Sequence, residues 1–524
     1  MDISQKVIRN TFYYIAGRSW GFIISIFLTP YIIGRIGLER YGVWAIIGLI
    51  TGYFGLLDFG IGLSFTKHVA EFFAKKEFKK ISSVINLGVA FYSLFAILVI
   101  SLTYFLADPL LVLFKIPPEL YSEARFVFWV GIILFLASNI TSPFYAVQSG
   151  LQRMDIINKI AIAVSIPQAL GTVYFLRQGY GLPGLMINNI IIFVLASVVH
   201  IVFAFRILPE LRFNPFVFDL AMFRKLFIFG FKIQIAKIAI VISTQTDKLF
   251  ISYFLTLAAV SFYQLGNSII YYAMTLTYLL VTALVPAFSE IEAKGDRMAL
   301  VEAYFKSTRY LSFIAIPLFI FVLFFSHRII FVWLGSGYEK AVLVSQILAL
   351  AWMLNAIAQV AASVCIAIDA PQLFSRGALI TIVTNIFLSY ILIKTMGFYG
   401  VAIGTLVAVN CGAAYSIMML HKELKISLKK FYACTLPFLW ASLLCALMIL
   451  FIDRGFVIFI PHLKRIPAFI LLFIEVNLFL AAYLYLGRRL KLYRKSDIEF
   501  IADKMPILYR MIRLIFPKIC RIQD

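Results

Sequence analysis

Three basic side chains, Arg18, Lys237 and Lys248, stand in stretches that are otherwise apolar. Their neighbours repeat a pattern. Arg18, Ser25 and Thr29 lie at i, i+7 and i+11, and Lys237, Thr244 and Lys248 keep the same intervals. On a helix that spacing gathers each triplet on one face. A guanidinium offers a planar fork of donors and an ammonium a mobile point charge, and the two together suit the oxygens of a phosphate or pyrophosphate. Gln234, one turn before Lys237, supplies a neutral donor. The chemistry is that of binding an anion.

A structural reading stands beside this one. Arg18 and Lys248 lie near the ends of their apolar stretches, where long cationic side chains snorkel to headgroups, and Lys248 adjoins Asp247. Lys237 lies further in and has no acid three or four residues away. Asp58 and Asp369 end their stretches as turn or cap residues do, with a gating role open for both and a gating or coupling role open also for Asp247, Asn355 and Gln359. Asn355 and Gln359 share a helix face with Trp352, which suits either a cavity lining or interhelical hydrogen bonds. Glu475 sits in the last apolar stretch with no evident partner.

The elements that must position these residues follow from composition. Of 524 residues 62% are hydrophobic and 14% charged, with a mean hydropathy of +0.96, more apolar surface than a soluble protein hides. A bilayer core takes roughly 20 apolar residues per helix, and such stretches recur from about Tyr13 to beyond Ile466. The fold class expected is an all-α polytopic membrane protein of about fourteen spans. A β-barrel would alternate polar and apolar residues, whereas runs such as 187–205 are apolar on every face. Prolines at 30, 167, 286, 317 and 437 allow these helices to bend.

One offset returns along the chain. Ala70–Glu77 resembles Ser289–Asp296, a shift of 219 residues from Glu71 to Glu290. The same shift takes Tyr53 to Tyr272, Tyr180 to Tyr399, Arg18 to Lys237, Ser25 to Thr244 and Thr29 to Lys248. Six spans separate equivalent helices, so two parallel repeats are expected, with the cations facing a cleft between them. The domain organisation expected is a six-helix lobe at 1–215, a second at 216–430, two further spans at 431–486 and a basic amphipathic tail at 487–524.

The 47 Lys and Arg outnumber the 25 Asp and Glu, a formal net charge of +22. They cluster in alternate loops and in the C-terminal tail, so they follow the positive-inside rule rather than a nucleic-acid footprint and put both termini in the cytoplasm. In the tail, cations alternate with apolar residues as in a helix lying on anionic lipid headgroups. The five Cys and five His are scattered, which argues against a metal site or a disulfide framework. The first span carries Arg18 and no small-residue cleavage site, so it reads as a retained helix.

Several segments resemble a known family: Ile36-Gly37-Leu38-Glu39-Arg40-Tyr41-Gly42-Val43-Trp44, Leu57-Asp58-Phe59-Gly60-Ile61-Gly62, Asp247-Lys248-Leu249-Phe250-Ile251-Ser252-Tyr253-Phe254-Leu255 and Val285-Pro286-Ala287-Phe288-Ser289-Glu290. They are similar to the Wzx-type polysaccharide-biosynthesis flippases of the multidrug/oligosaccharidyl-lipid/polysaccharide exporter superfamily. The resemblance implies a V-shaped bundle of two six-helix lobes that moves an undecaprenyl-pyrophosphate-linked oligosaccharide across a prokaryotic cytoplasmic membrane by alternating access. It also implies O-antigen, capsule or exopolysaccharide synthesis as the setting, with a polysaccharide polymerase and a chain-length regulator as possible partners. No cofactor is expected; coupling to a H+ or Na+ gradient is open. The Asp-Ala-Phe motif of the lipid II flippase after the first span is absent.

Two other functions fit the residues less well. Cation-coupled drug exporters of the superfamily commonly carry an acid in the first helix, where this chain has Arg18. A membrane polymerase or glycosyltransferase usually has a sizeable outer loop bearing acids or His, and the longest such loop here, 107–123, is too short for a domain. No GxxxxGK[ST] motif is found, so a nucleotide-hydrolysing engine is not expected.

Overall fold

The computed structural model describes residues 3–58, 60–214, 219–281, 284–459, 464–490 and 492; at some helical positions, including 3–19, 232, 233 and 235–237, it describes the backbone alone. Fifteen α-helices account for nearly all of them, and no strand occurs among the described residues. In order they are α1 (Ile3–Phe54), α2 (Ile61–Ala74), α3 (Phe78–Leu113), α4 (Pro118–Gly150), α5 (Met154–Arg177), α6 (Gly181–Ile207), α7 (Leu220–Phe254) and α8 (Leu257–Val281). There follow α9 (Leu284–Ala293), α10 (Arg297–Leu334), α11 (Glu339–Ala367), α12 (Pro371–Met396), α13 (Phe398–Leu424), α14 (Leu428–Phe459) and α15 (Arg465–Arg489). In lipid every backbone polar group must be satisfied internally, which leaves the helix as the form for such apolar segments.

Helix ends follow local chemistry. Asp219 caps α7 by accepting from the Met222 amide at 3.0 Å, and Asp296 caps α10 by accepting from that of Ala299 at 2.9 Å. Pro118 and Pro371 open α4 and α12, where a missing N–H costs nothing. Eleven helices among the described residues are long and apolar enough to cross a membrane. One of them, α1, is divided by Gly37, whose φ of 80° and ψ of 168° break it into two arms. With α7 and the α8–α9 pair in the remaining places, the chain is a multi-pass membrane protein of about fourteen passes.

The offset of 219 is visible in the helix boundaries. Ala74 and Ala293 close α2 and α9, Phe78 and Arg297 open α3 and α10, and Arg177 and Met396 close α5 and α12. Packing repeats with it: α2 on α4, α3 on α4, α4 on α6 and α5 on α6 recur as α9 on α11, α10 on α11, α11 on α13 and α12 on α13. The chain is therefore built from two parallel six-helix repeats followed by α14 and α15.

Packing groups the chain into two compact units, Met1–Gln264 and Leu265–Asp524. In the first, α7 lies on α1, α2 and α3, so the opening helix of the second repeat belongs by contact to the first unit. In the second, α14 and α15 pack on each other and on α10. The amphipathic tail expected over 487–524 lies, from residue 493 on, outside the described residues.

Candidate ligand-binding face of α7

The second pass is broken. After the second arm of α1 the backbone tightens into a 3₁₀ turn, Gly55–Asp58, and α2 begins beyond Gly60. A 3₁₀ turn followed by a bend frees backbone carbonyls inside the membrane, and each needs a substitute donor. The Leu56 carbonyl finds one in the Gln234 side-chain amide of α7. Asp58, buried beside the break, accepts from the Gly60 amide at 2.8 Å. Gly60 has φ of 70°, and a Cβ there would collide with the Gly230 carbonyl of α7. The break in the second pass is thus fitted to α7.

Further along α7 comes a run of polar residues, Thr244-Gln245-Thr246-Asp247-Lys248. Thr246 donates to the Ile242 carbonyl at 2.6 Å and hydrogen-bonds with Tyr53 of α1. The Asp247 carboxylate accepts from the Tyr263 hydroxyl of α8. Lys248 is 9% exposed and makes no hydrogen bond or ion pair among the described residues. It lines a cavity of about 330 Å³ with Tyr41, Trp44, Ala45 and Gly48 of α1, Gln245 of α7 and Gln264 of α8. The Oε1 atom of Gln245 is buried there with no hydrogen-bond partner among the described residues.

A buried ammonium takes partners when it has room to reach them. Here it has a cavity of ligand-fragment size, two amide side chains and the side chains of Tyr41 and Trp44. That arrangement holds a small anionic or hydroxyl-rich group: the ammonium carries charge, the amides give and accept hydrogen bonds, and the rings give an apolar wall.

The other expected site residues are placed as follows. The backbones of Arg18 and Lys237 are helical, in α1 and α7, and their side chains lie outside the described residues. Ser25 is half-buried on α1, and Thr244 is exposed with its hydroxyl donating to the Val241 carbonyl at 3.4 Å. Gln234, Thr244, Asp247 and Lys248 share α7, whereas Asn355 and Gln359 belong to the second unit. There the Gln359 amide donates to Asn355 Oδ1 at 3.2 Å, one turn apart on α11. Tyr41, Trp44, Gln245, Gln264 and Tyr263 were not singled out from the sequence for a role. Tyr41 and Trp44, one turn apart in a quoted motif, and Gln245 with Lys248 at i, i+3 were the available signal.

At the polar end of α2, past the apolar stretch, Glu71 accepts from Lys67 at 2.8 Å, Lys75 at 2.9 Å and Lys225 of α7 at 3.2 Å. The hydrogen bonds from Lys67, then Lys75, hold its carboxyl well below the usual carboxylate range. Two points, Gly60 at the entry to α2 and Glu71 within it, therefore meet α7.

The family model described as "Polysaccharide biosynthesis protein" matches residues 7–292, which include the broken pass and the whole of α7. The chain belongs to this family. Among its relatives, a putative O-antigen transporter of Shigella flexneri is 21% identical over 408 residues, covering 76% of this chain and 94% of that one. A putative O-antigen export protein of Yersinia pseudotuberculosis is 26% identical over 222 residues, 40% of this chain and 49% of its own length. The lipid II flippase MurJ in an inward closed conformation has a similar structure, with a TM-score of 0.69 at 18% identity over 92% of this chain and 99% of that one. So does an inward-facing multidrug resistance MATE family transporter of the MOP superfamily, at 0.66 and 13% identity over 77% and 95%. The fold is one that this chain shares with these two solved structures.

Proposed function

We propose that this family member is a flippase that moves an anionic, undecaprenyl-pyrophosphate-linked oligosaccharide between the leaflets of a prokaryotic cytoplasmic membrane by alternating access. The cargo would serve O-antigen, capsule or exopolysaccharide synthesis. The observation that carries this reading is Lys248, buried without a hydrogen-bond partner in a cavity with two amide side chains, in a chain whose relatives are described as O-antigen transporters. Lys248 and Gln245 meet phosphate or sugar oxygens, Arg18 and Lys237 are the further cations that bind them, and Ser25 and Thr244 supply neutral donors. Both termini lie in the cytoplasm, a polymerase and a chain-length regulator take over the cargo, and a H+ or Na+ gradient or downstream consumption drives the step. The chain transports its cargo and does not transform it.

The test is restoration of surface polymer in a strain lacking its own flippase. Wild-type chain restores it, whereas Arg18→Ala, Lys237→Ala and Lys248→Ala abolish it at unchanged membrane abundance. Normal polymer from an Arg18→Ala, Lys237→Ala double variant would overturn the charge argument. Uptake of cationic dyes by vesicles, unaffected by polyprenyl phosphates, would overturn the cargo.

A further inference from the structure

The two helices that follow the repeats are tied to it by three buried charges. Arg328 of α10 donates through Nη2 to Asp453 Oδ1 of α14 at 2.6 Å and through Nη1 to Glu475 Oε1 of α15. The side chains are 14%, 16% and 3% exposed. Both carboxylates take terminal nitrogens of one planar guanidinium, so they are neighbours. The second oxygen of Glu475, Oε2, is buried with no hydrogen-bond partner among the described residues.

The charges do not balance. Two carboxylates against one guanidinium leave one negative charge in an apolar region, and an uncompensated charge there is costly. Each element packed at this point contributes one member: Arg328 from α10, Asp453 from α14 and Glu475 from α15. Arg465, which opens α15, is engaged elsewhere, donating to the Trp333 carbonyl at 2.6 Å. Among the described residues no further ion pair reaches the three. A guanidinium already fills the face where a metal ion would need oxygens, whereas a proton needs only the unpartnered carboxylate oxygen beside a second acceptor.

We propose that Asp453 and Glu475 form a proton-binding site on Arg328, one proton being shared between the two carboxylates, so that α14 and α15 are held to α10 by a proton-dependent contact. Uptake forms one carboxylic O–H at the expense of a proton from water and takes the cluster from a charge of −1 to neutral. Loss of that proton leaves two anions side by side on α14 and α15 and loosens their seat on α10. The inference does not rest on the flippase reading and holds for any cargo.

Purified full-length chain tests it by infrared spectroscopy and thermal unfolding across pH, without transport. Wild type is expected to show a protonated-carboxyl band that bleaches as the pH is raised. Its melting temperature is expected to fall by several degrees over the same range, because the native state then binds more protons than the unfolded one. Glu475→Gln and Asp453→Asn, each leaving one carboxylate for one guanidinium, should lose the band and the pH dependence and melt no lower than wild type at high pH. Retention of the band in both variants would overturn the proposal. So would lower melting of both variants at every pH, the signature of two permanently charged partners. A melting temperature that follows Na+ at fixed pH would assign the site to a metal ion instead and equally overturn it.

Discussion

Lys248 and Gln234 show how α7 uses polar side chains in two ways. Gln234 is spent on structure: its amide satisfies Leu56, a carbonyl that the break in the second pass leaves without a helical donor. Replacing it with Leu strands that carbonyl, which should cost about 1–3 kcal/mol, read as a lower melting temperature of the purified protein. Lys248 feels the charge of the adjacent Asp247 but makes no hydrogen bond or ion pair among the described residues. Lys248→Met keeps length and apolar bulk but removes the charge, and a lost charged hydrogen bond of about 2 kcal/mol is a roughly thirty-fold weaker hold on an anion. The expected outcome is a fall in polymer export of that order with unchanged folding, while Lys248→Arg retains part of it. Export at the wild-type level from Lys248→Met would remove this residue from the site.

The charged residues of α7 were visible in the sequence because a cation in an apolar run is conspicuous. Their partners were not. Tyr41 and Trp44 line the Lys248 cavity from the arm of α1 that follows Gly37, and no periodicity signals which face of a fully apolar helix meets which neighbour. Glu475 had no explanation for the same reason, since the Arg328 that meets it lies 147 residues away.

At the scale of elements, the broken second pass meets α7 at a close backbone contact and at a cluster of charges. Gly60 combines a left-handed φ with close contact to the Gly230 carbonyl, so Gly60→Ala should destabilise by at least the roughly 1–2 kcal/mol of the backbone strain. Gly52→Ala, where a Cβ meets nothing within 4 Å, is the control that should unfold like wild type. Equal melting of the two variants would refute the close fit. Glu71 makes the other contact. Its depressed carboxyl gives a stabilising term that is complete above the ordinary Glu value of about 4.3 and fades as the pH falls through the depressed one. Glu71→Gln should therefore raise hydrogen exchange in α2 at neutral pH, a change that acidification to about pH 5 does not produce in wild type.

For the molecule as a whole, much of the architecture was readable from composition and from one number. An offset of 219 residues reappears in the ends of α2, α3 and α5 and of their counterparts α9, α10 and α12, because each repeat folds its own helices on one another in the same order. What the offset does not convey is the allegiance of α7, which opens the second repeat yet packs on α1, α2 and α3. A chain cut in the connection between α6 and α7 and produced as two fragments should therefore reassemble, and the fragments should co-purify from membranes. Fragments that never associate would show that the contacts of α7 need an unbroken chain.

The two repeats also end differently. On α10 the added helices α14 and α15 occupy the flank, whereas the corresponding helix of the first repeat, α3, leaves Leu94, Ile97, Leu98, Tyr104 and Phe105 bare. On that flank one repeat meets protein where the other presents bare apolar side chains. On this flank a thicker or stiffer bilayer would press on α3 directly and on α14 and α15 before α10, so lipid composition is expected to act on the two helices unequally.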